Sequence, residues 1–573
     1  MSLNRLKIII ISLSLVFQVQ ILSAQIIEDV YFVKFTDKSQ TAYSINNPSQ
    51  FLSLKALNRR LKNKIPITSQ DLPVDQSYID LVSDAGAKFM FITKWMNGIG
   101  ISSVDPEELE TIGNLPFVES VELIHNNLSV FGESSADLLK TAVISNEVST
   151  DKTDQILKSN KLKNNELIAN LDYGFADTQI KMLNGDLMHQ RGFLGENIMI
   201  AVLDNGFLNV NNLDAFDSLW FNNQVISTHD FVINDQIQFN AGDHGAKVLS
   251  IMAANKPGVY IGTAPKANYH LIRTEIEGSE SLLEEYLWMC GAEYADSIGA
   301  DIINSSLGYT EFDDVTQNHQ YSDMDGNTTI VTRAADIAAS KGILVINSAG
   351  NSANKPWRYI GAPADGDSVM AVGAVDENRL WTQFSSVGPT ADGRTKPDIV
   401  AQGKNTAIIE NNGSVVFGNG TSFSAPIIAG LSACLWQSRP DLNNMQIKES
   451  IEKSANLYYW PDSHYGYGLP DFSVAMQIAQ MLTFSEDKKL SLLTIFPNPF
   501  INNPKLIVFS STHEMTNMTI LDITGKMVIS SDYELHQGLN YIQISNLNFL
   551  SEGMYILHLK NSDQNLFSKI IKL

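Results

Sequence analysis

The chain is short of cysteine, of positive charge and of long apolar runs, and each shortage removes a class of answer. Only Cys290 and Cys434 occur in 573 residues, too few for a disulfide framework; each falls in an apolar helical pattern and reads as a buried thiol. Two cysteines without clustered histidines build no zinc site either. Lys and Arg number 40 against 63 Asp and Glu, a net charge of −23, so nucleic acid and anionic membrane surfaces are not expected partners. No stretch reaches the roughly 18 consecutive apolar residues of a transmembrane helix, and none is expected. What is present is 44% hydrophobic and 18% charged, a globular composition too long for one hydrophobic core.

Organisation follows from shifts in pattern. Residues 1–24 read as a signal peptide: Arg5 and Lys7 precede an apolar run from Ile8 to Phe17, and Leu22-Ser23-Ala24 offers a small-residue cleavage site. Residues 25–125 form an α+β unit, with strand-like Val30–Phe35 and Pro116–Leu123 around the helical stripe of Phe51–Leu61. Residues 126–169, rich in Ser, Asn, Lys and Asp, are a linker suited to proteolytic maturation. Over residues 170–482 strands (Ile198–Asp204, Tyr269–Arg273, Ile302–Ser305, Ile343–Ser348, Val369–Val375, Asp398–Ala401) alternate with helices (Gly242–Ala254, Ser281–Ile298, Thr332–Ser340). That alternation predicts an α/β fold, a mostly parallel sheet with helices on both faces. Residues 490–573 carry short alternating runs separated by turns, the pattern of a small β-sandwich.

In parallel sheets, functional groups gather beyond the C-terminal strand ends. Asp204 closes the run I-A-V-L-D-N-G, and Asn351 follows a strand in N-S-A-G-N-S. His244 begins the helix of D-H-G-A-K-V, and Ser422 lies in G-T-S-F-S-A-P, a small-residue turn before a buried helix. A serine becomes a strong nucleophile when a histidine takes its proton, a carboxylate fixes that histidine, and donors await the oxyanion. A helix start supplies such donors. Pro426 is tolerated if it falls in the first turn, where N–H groups are unpaired anyway. Ser424 is the rival nucleophile, and His229, His270 and His464 are rival histidines.

The order Asp…His…Asn…Ser, with V-L-D-N-G, D-H-G-A-K-V, N-S-S-L-G, N-S-A-G-N and G-T-S-F-S-A-P, resembles the subtilisin-like serine proteases. The resemblance implies a catalytic triad of Asp204, His244 and Ser422, an oxyanion hole from Asn351 and the Ser422 N–H, and a substrate-binding edge at Ser305, Ser306, Leu307 and Gly308. Asn205 and Lys247 depart from the residues usual at those positions in the family. An α/β-hydrolase is disfavoured because G-T-S-F-S lacks the second Gly of the nucleophile elbow.

The flanks extend the resemblance. Residues 25–125 look like the family's inhibitory propeptide, and F-P-N-P-F with Gly553-Met554-Tyr555-Ile556-Leu557 is similar to C-terminal sorting domains of type IX secretion. Together they imply a secreted or surface-bound endopeptidase of a Gram-negative bacterium. Its partners would be protein or peptide substrates, its own propeptide and the secretion machinery. No cofactor is expected; Asp323-Met324-Asp325-Gly326-Asn327 could be weighed as a calcium loop, but its Gly is misplaced for an EF-hand, and it reads as a polar turn. The alternatives are an inactive subtilisin-like adhesin, which would need none of the four catalytic positions, and, for the last unit, a substrate- or carbohydrate-binding β-module.

Overall fold

The computed structural model describes residues 24–26, 29–126 apart from 104, 129–131, 171–482, and 490–573 apart from 497, 502, 511, 546, 548 and 563. The leader (residues 1–23) and residues 132–169 of the linker lie outside the described residues. The first unit has strands β1 (Val30–Phe35), β2 (Lys88–Thr93), β3 (Gly98–Ser102) and β4 (Val118–His125), antiparallel in the order β2-β3-β1-β4. Its helices are α1 (Leu54–Lys62), α2 (Gln76–Asp84) and α3 (Pro106–Gly113). Strand alternation sends Val33, Phe35, Ile99 and Ile101 into this unit's own core. Val30, Phe32 and Phe91 leave by the other face and join the core of the next unit. The sheet is therefore buried on both sides.

That next unit is a seven-stranded parallel sheet: β5 (Met199–Asp204), β6 (Val225–Asp230), β7 (Asn268–Arg273), β8 (Ile302–Ser305), β9 (Leu344–Ser348), β10 (Met370–Val375) and β11 (Ile399–Gln402). The strand order is β11-β10-β9-β8-β5-β7-β6. From β5 the chain first builds one edge and then the other, which makes the β5/β8 boundary a topological switch point, where α/β folds place ligands. Ile200 and Val202 of β5 face the core beneath α4 (His244–Ala253) and α7 (Thr421–Ser438). Ala201 and Leu203 face α5 (Leu282–Ile298) and α6 (Ile330–Ser340). Helix α5 starts where Glu284 reaches back to accept from Ser281 N at 3.0 Å, and stops at Gly299, whose φ of 94° suits glycine. Two further helices, α8 (Asn444–Ser454) and α9 (Phe472–Met481), close this unit.

The last unit packs two antiparallel sheets. One has order β12 (Leu490–Phe496), β13 (Lys505–Ser510), β16 (Gly538–Gln543); the other has order β15 (Met527–Leu535), β14 (Glu514–Leu521), β17 (Gly553–Lys560), β18 (Asn565–Lys572). Leu506, Val508, Ile520, Leu557 and Leu559 fill the space between them, the arrangement of a β-sandwich. No helix among the described residues is long and apolar enough to cross a membrane.

Two expectations need correction. The strands expected from the sequence leave out β2, β3, β6, β12 and β18; in β6 and β18 polar residues break the apolar alternation. Pro426 is not in the first turn: α7 begins at Thr421, so the proline lies inside the helix. A proline there leaves the carbonyl four residues earlier without its helical donor. That carbonyl belongs to Ser422, and the Ser306 hydroxyl donates to it instead at 2.9 Å.

Candidate active site

Asp204 ends β5, wholly buried, and its Oδ1 receives the His244 ring through Nδ1 at 2.7 Å. The Asn205 N–H donates to the same oxygen at 2.8 Å, fixing the carboxylate. His244 opens α4, and the glycine after it lets the helix start press against the strand end: a Cβ at Gly245 would lie 2.8 Å from that of Asp204. Burial by itself would lower the pKa of His244, but the Asp204 charge and hydrogen bond outweigh it and hold the ring above the usual histidine value. The pair is thus a histidine with one nitrogen locked to a carboxylate and the other uncommitted.

Ser422 is the second residue of α7, only 9% exposed. Its hydroxyl donates to the Ser306 carbonyl at 3.3 Å, and no hydrogen bond to His244 is present among the described residues. The neighbouring Phe423 ring lies 6.1 Å from the imidazole, so the serine segment and the histidine border one cleft. Asn351 follows β9. Its Oδ1 accepts from the Thr421 N–H at 2.9 Å and the Thr421 hydroxyl at 3.1 Å, which orients the amide and leaves the Nδ2 donors available. The four positions singled out in the sequence are brought to one edge of the sheet and the helix starts beside it.

Among the predicted cleft-edge residues the roles divide. Ser305 is fully buried and its hydroxyl accepts from the Trp288 indole at 3.0 Å, so its side chain faces away from any ligand. Leu307 stays partly exposed while its carbonyl accepts from Asn347 Nδ2 at 2.9 Å, and Gly308 is exposed. Ser424 is fully buried, and His270 is buried against Ser227. Cys290 and Cys434 are both free and buried. In the Asp323–Asn327 loop, Asp325 accepts from the N–H groups of Asn327 and Thr328 at 2.8 and 2.9 Å, bracing the turn.

Sequence reasoning missed two features. One is Thr421 as the clamp on Asn351. The other is a cavity of about 350 Å³ lined by His244, Leu307, Glu275 and Glu284. The run E-I-E-G-S-E-S-L-L-E-E at 275–285 was the available signal.

Comparison with known proteins finds relatives for three parts of the chain. The Subtilase family matches residues 195–468, a Peptidase S8 propeptide domain of Bacteroidota matches 30–139, and a secretion system C-terminal sorting domain matches 494–573. Subtilisin DY of Bacillus licheniformis is 29% identical over 303 residues, covering 52% of this chain and 97% of that protein. A thermostable alkaline protease of Halalkalibacterium halodurans is 32% identical over 293 residues, covering 51% of this chain and 70% of that protein. Among solved structures, MycP1 of Mycobacterium smegmatis aligns with a TM-score of 0.42 at 22% identity, over 54% of this chain and 88% of that one. The chain belongs to the subtilase family of serine endopeptidases, with a propeptide domain before the peptidase unit and a secretion sorting domain after it.

Proposed function

We propose that Ser422, His244 and Asp204 form the catalytic triad and that this endopeptidase cleaves peptide bonds through an acyl-enzyme. The observation that carries the reading is the 2.7 Å bond between the buried Asp204 carboxylate and His244 Nδ1. It fixes the tautomer in which Nε2 can accept a proton. On substrate binding the Ser422 hydroxyl turns from the Ser306 carbonyl to His244 Nε2, a rotation about one side-chain bond. Oγ attacks the scissile carbonyl as His244 takes its proton, and Asp204 stabilises the imidazolium. The oxyanion is held by Asn351 Nδ2 and the Ser422 N–H. His244 then protonates the leaving amine, and a water deprotonated by the same ring releases the acyl group. Each step is carried by this chain's own side chains and backbone.

The flanking units complete the reading. Residues 25–125 act as a docked inhibitor until the linker at 126–169 is cut, residues 1–24 direct export, and the module at 490–573 hands the protein to type IX secretion machinery for release or surface attachment. A fluorophosphonate tests the chemistry. The self-processed protein should be modified at Ser422, and Ser422→Ala should lose both labelling and at least about 10⁴-fold in peptide hydrolysis. Wild type that stays unlabelled after the propeptide has gone would leave the inactive-adhesin reading in its place.

A further inference from the structure

The cavity beside His244 is lined by five carboxyl groups, Glu275 and Glu284 buried and Glu277, Glu280 and Asp313 nearer the surface. None of the five has an ion pair with Lys, Arg or His among the described residues. They are not arranged for a metal either, since no group of three such side chains among the described residues converges on an ion position. Glu275 is the informative member. It is 8% exposed, and its Oε1 accepts from the Tyr309 hydroxyl at 2.6 Å and the Thr274 hydroxyl at 3.0 Å. Its Oε2 accepts no hydrogen bond among the described residues, and the side chain lines the cavity. A carboxylate buried on one oxygen and open on the other is an acceptor waiting for a donor from outside the fold. Burial first, and then the neighbouring carboxylate charges, push both Glu275 and Glu284 above the ordinary carboxylate range, so both favour the protonated form until a cation arrives beside them.

We propose that this cavity is a subsite that takes a cationic side chain, Lys or Arg, from the substrate on the acyl side of the scissile bond. His244 and Leu307 both line it, so a peptide laid along the Leu307 edge with its carbonyl at Ser422 passes the opening. A cavity of about 350 Å³ has room for the extended stem and head of such a side chain. An ammonium or guanidinium there would donate to Glu275 Oε2 while Glu277 and Glu280, both exposed, supply further negative potential at the mouth.

The inference rests on the acyl-enzyme reading above, and the experiment separates the two. Self-processed protein is given matched peptides that carry Lys, Gln or Glu at the second, third or fourth residue before the scissile bond. Lys should exceed Gln in kcat/KM on the order of tenfold at one of these positions, with the preference shrinking at high salt. Glu277→Gln should reduce that ratio. Glu277→Lys should shift the preference towards Glu, an outcome that misfolding cannot produce. Efficient cleavage with no preference for Lys at any of the three positions overturns this inference and leaves the catalytic reading standing. A protein that cleaves none of the peptides and takes no label overturns both.

Discussion

The two ends of helix α5 carry acidic residues in opposite circumstances. At its C-terminal end, Asp296 is fully buried and met by the propeptide: Arg59 Nη2 lies 2.5 Å from Oδ1 and Arg60 Nη2 lies 2.7 Å from Oδ2. One turn earlier, Glu293 accepts from the propeptide's Thr93 hydroxyl at 2.5 Å and from the Lys94 and Trp95 N–H groups at 2.9 Å each. At the N-terminal end, Glu285 is met by His319, but Glu284 accepts two backbone N–H groups, and among the described residues neither it nor Glu275 meets a cation. The difference separates two kinds of recognition. Where the partner is part of the chain, the charges are already matched and hold the inhibitor in register. Where the partner arrives as substrate, the charges are left unmatched. Neither arrangement needs to add net stability: a buried ion pair barely repays its desolvation, yet removing one side of it is costly.

Breaking the matched end should have the larger effect. Asp296→Ala strands Arg59 in a buried site and leaves Arg60 with Asp71 alone, at a cost of about 3–5 kcal/mol to propeptide docking. The propeptide should then separate from the self-processed protein on gel filtration under conditions where wild type retains it. Equal retention would mean that the apolar contacts of Phe32 and Phe91 with Tyr286, at 4.6 and 5.9 Å between rings, hold the inhibitor without help from charge.

The unmatched end should respond less, and with the opposite sign. Burial pushes Glu275 up to about 8, so the folded state favours its protonated form. The stability this contributes is complete below the ordinary carboxylate range and is lost as pH rises towards 8. Glu275→Gln keeps an acceptor for Tyr309 and cannot ionise. Between pH 5 and 9 its melting temperature should therefore fall less than that of wild type, by roughly 2–4 °C for each kcal/mol of strain removed. Parallel melting curves would show that Glu275 is relieved by groups other than a substrate cation.

How much of this the sequence disclosed depends on the range of the interaction. The places of Asp204, Asn351, His244 and Ser422 at strand ends and helix starts were legible because local pattern and sheet topology agree there. The sandwich was legible from strand periodicity, and the propeptide unit from two of its four strands and the stripe of α1. Contacts between distant segments were not. Nothing local marks Arg59 as the partner of Asp296, 237 residues away, or Ser306 as the donor that replaces the N–H missing at Pro426. Ser305 read as an accessible cleft residue, yet only the packing of Trp288 shows that its hydroxyl is turned inward. The acidic run at 275–285 was visible, but an exposed acidic loop and a carboxylate-lined cavity have the same composition; the fold distinguishes them.

The account depends most on Asp204 setting His244 as the base for Ser422, and the pH dependence of kcat/KM tests that directly. Because His244 must be neutral to accept the proton and Asp204 holds its pKa above 6.5, activity in the wild-type protein should rise through an acid limb centred above pH 6.5. Asp204→Asn should cost on the order of 10⁴-fold at neutral pH. An acid limb at or below pH 6.5, together with an Asp204→Asn protein that keeps a tenth or more of the wild-type rate, would contradict the account.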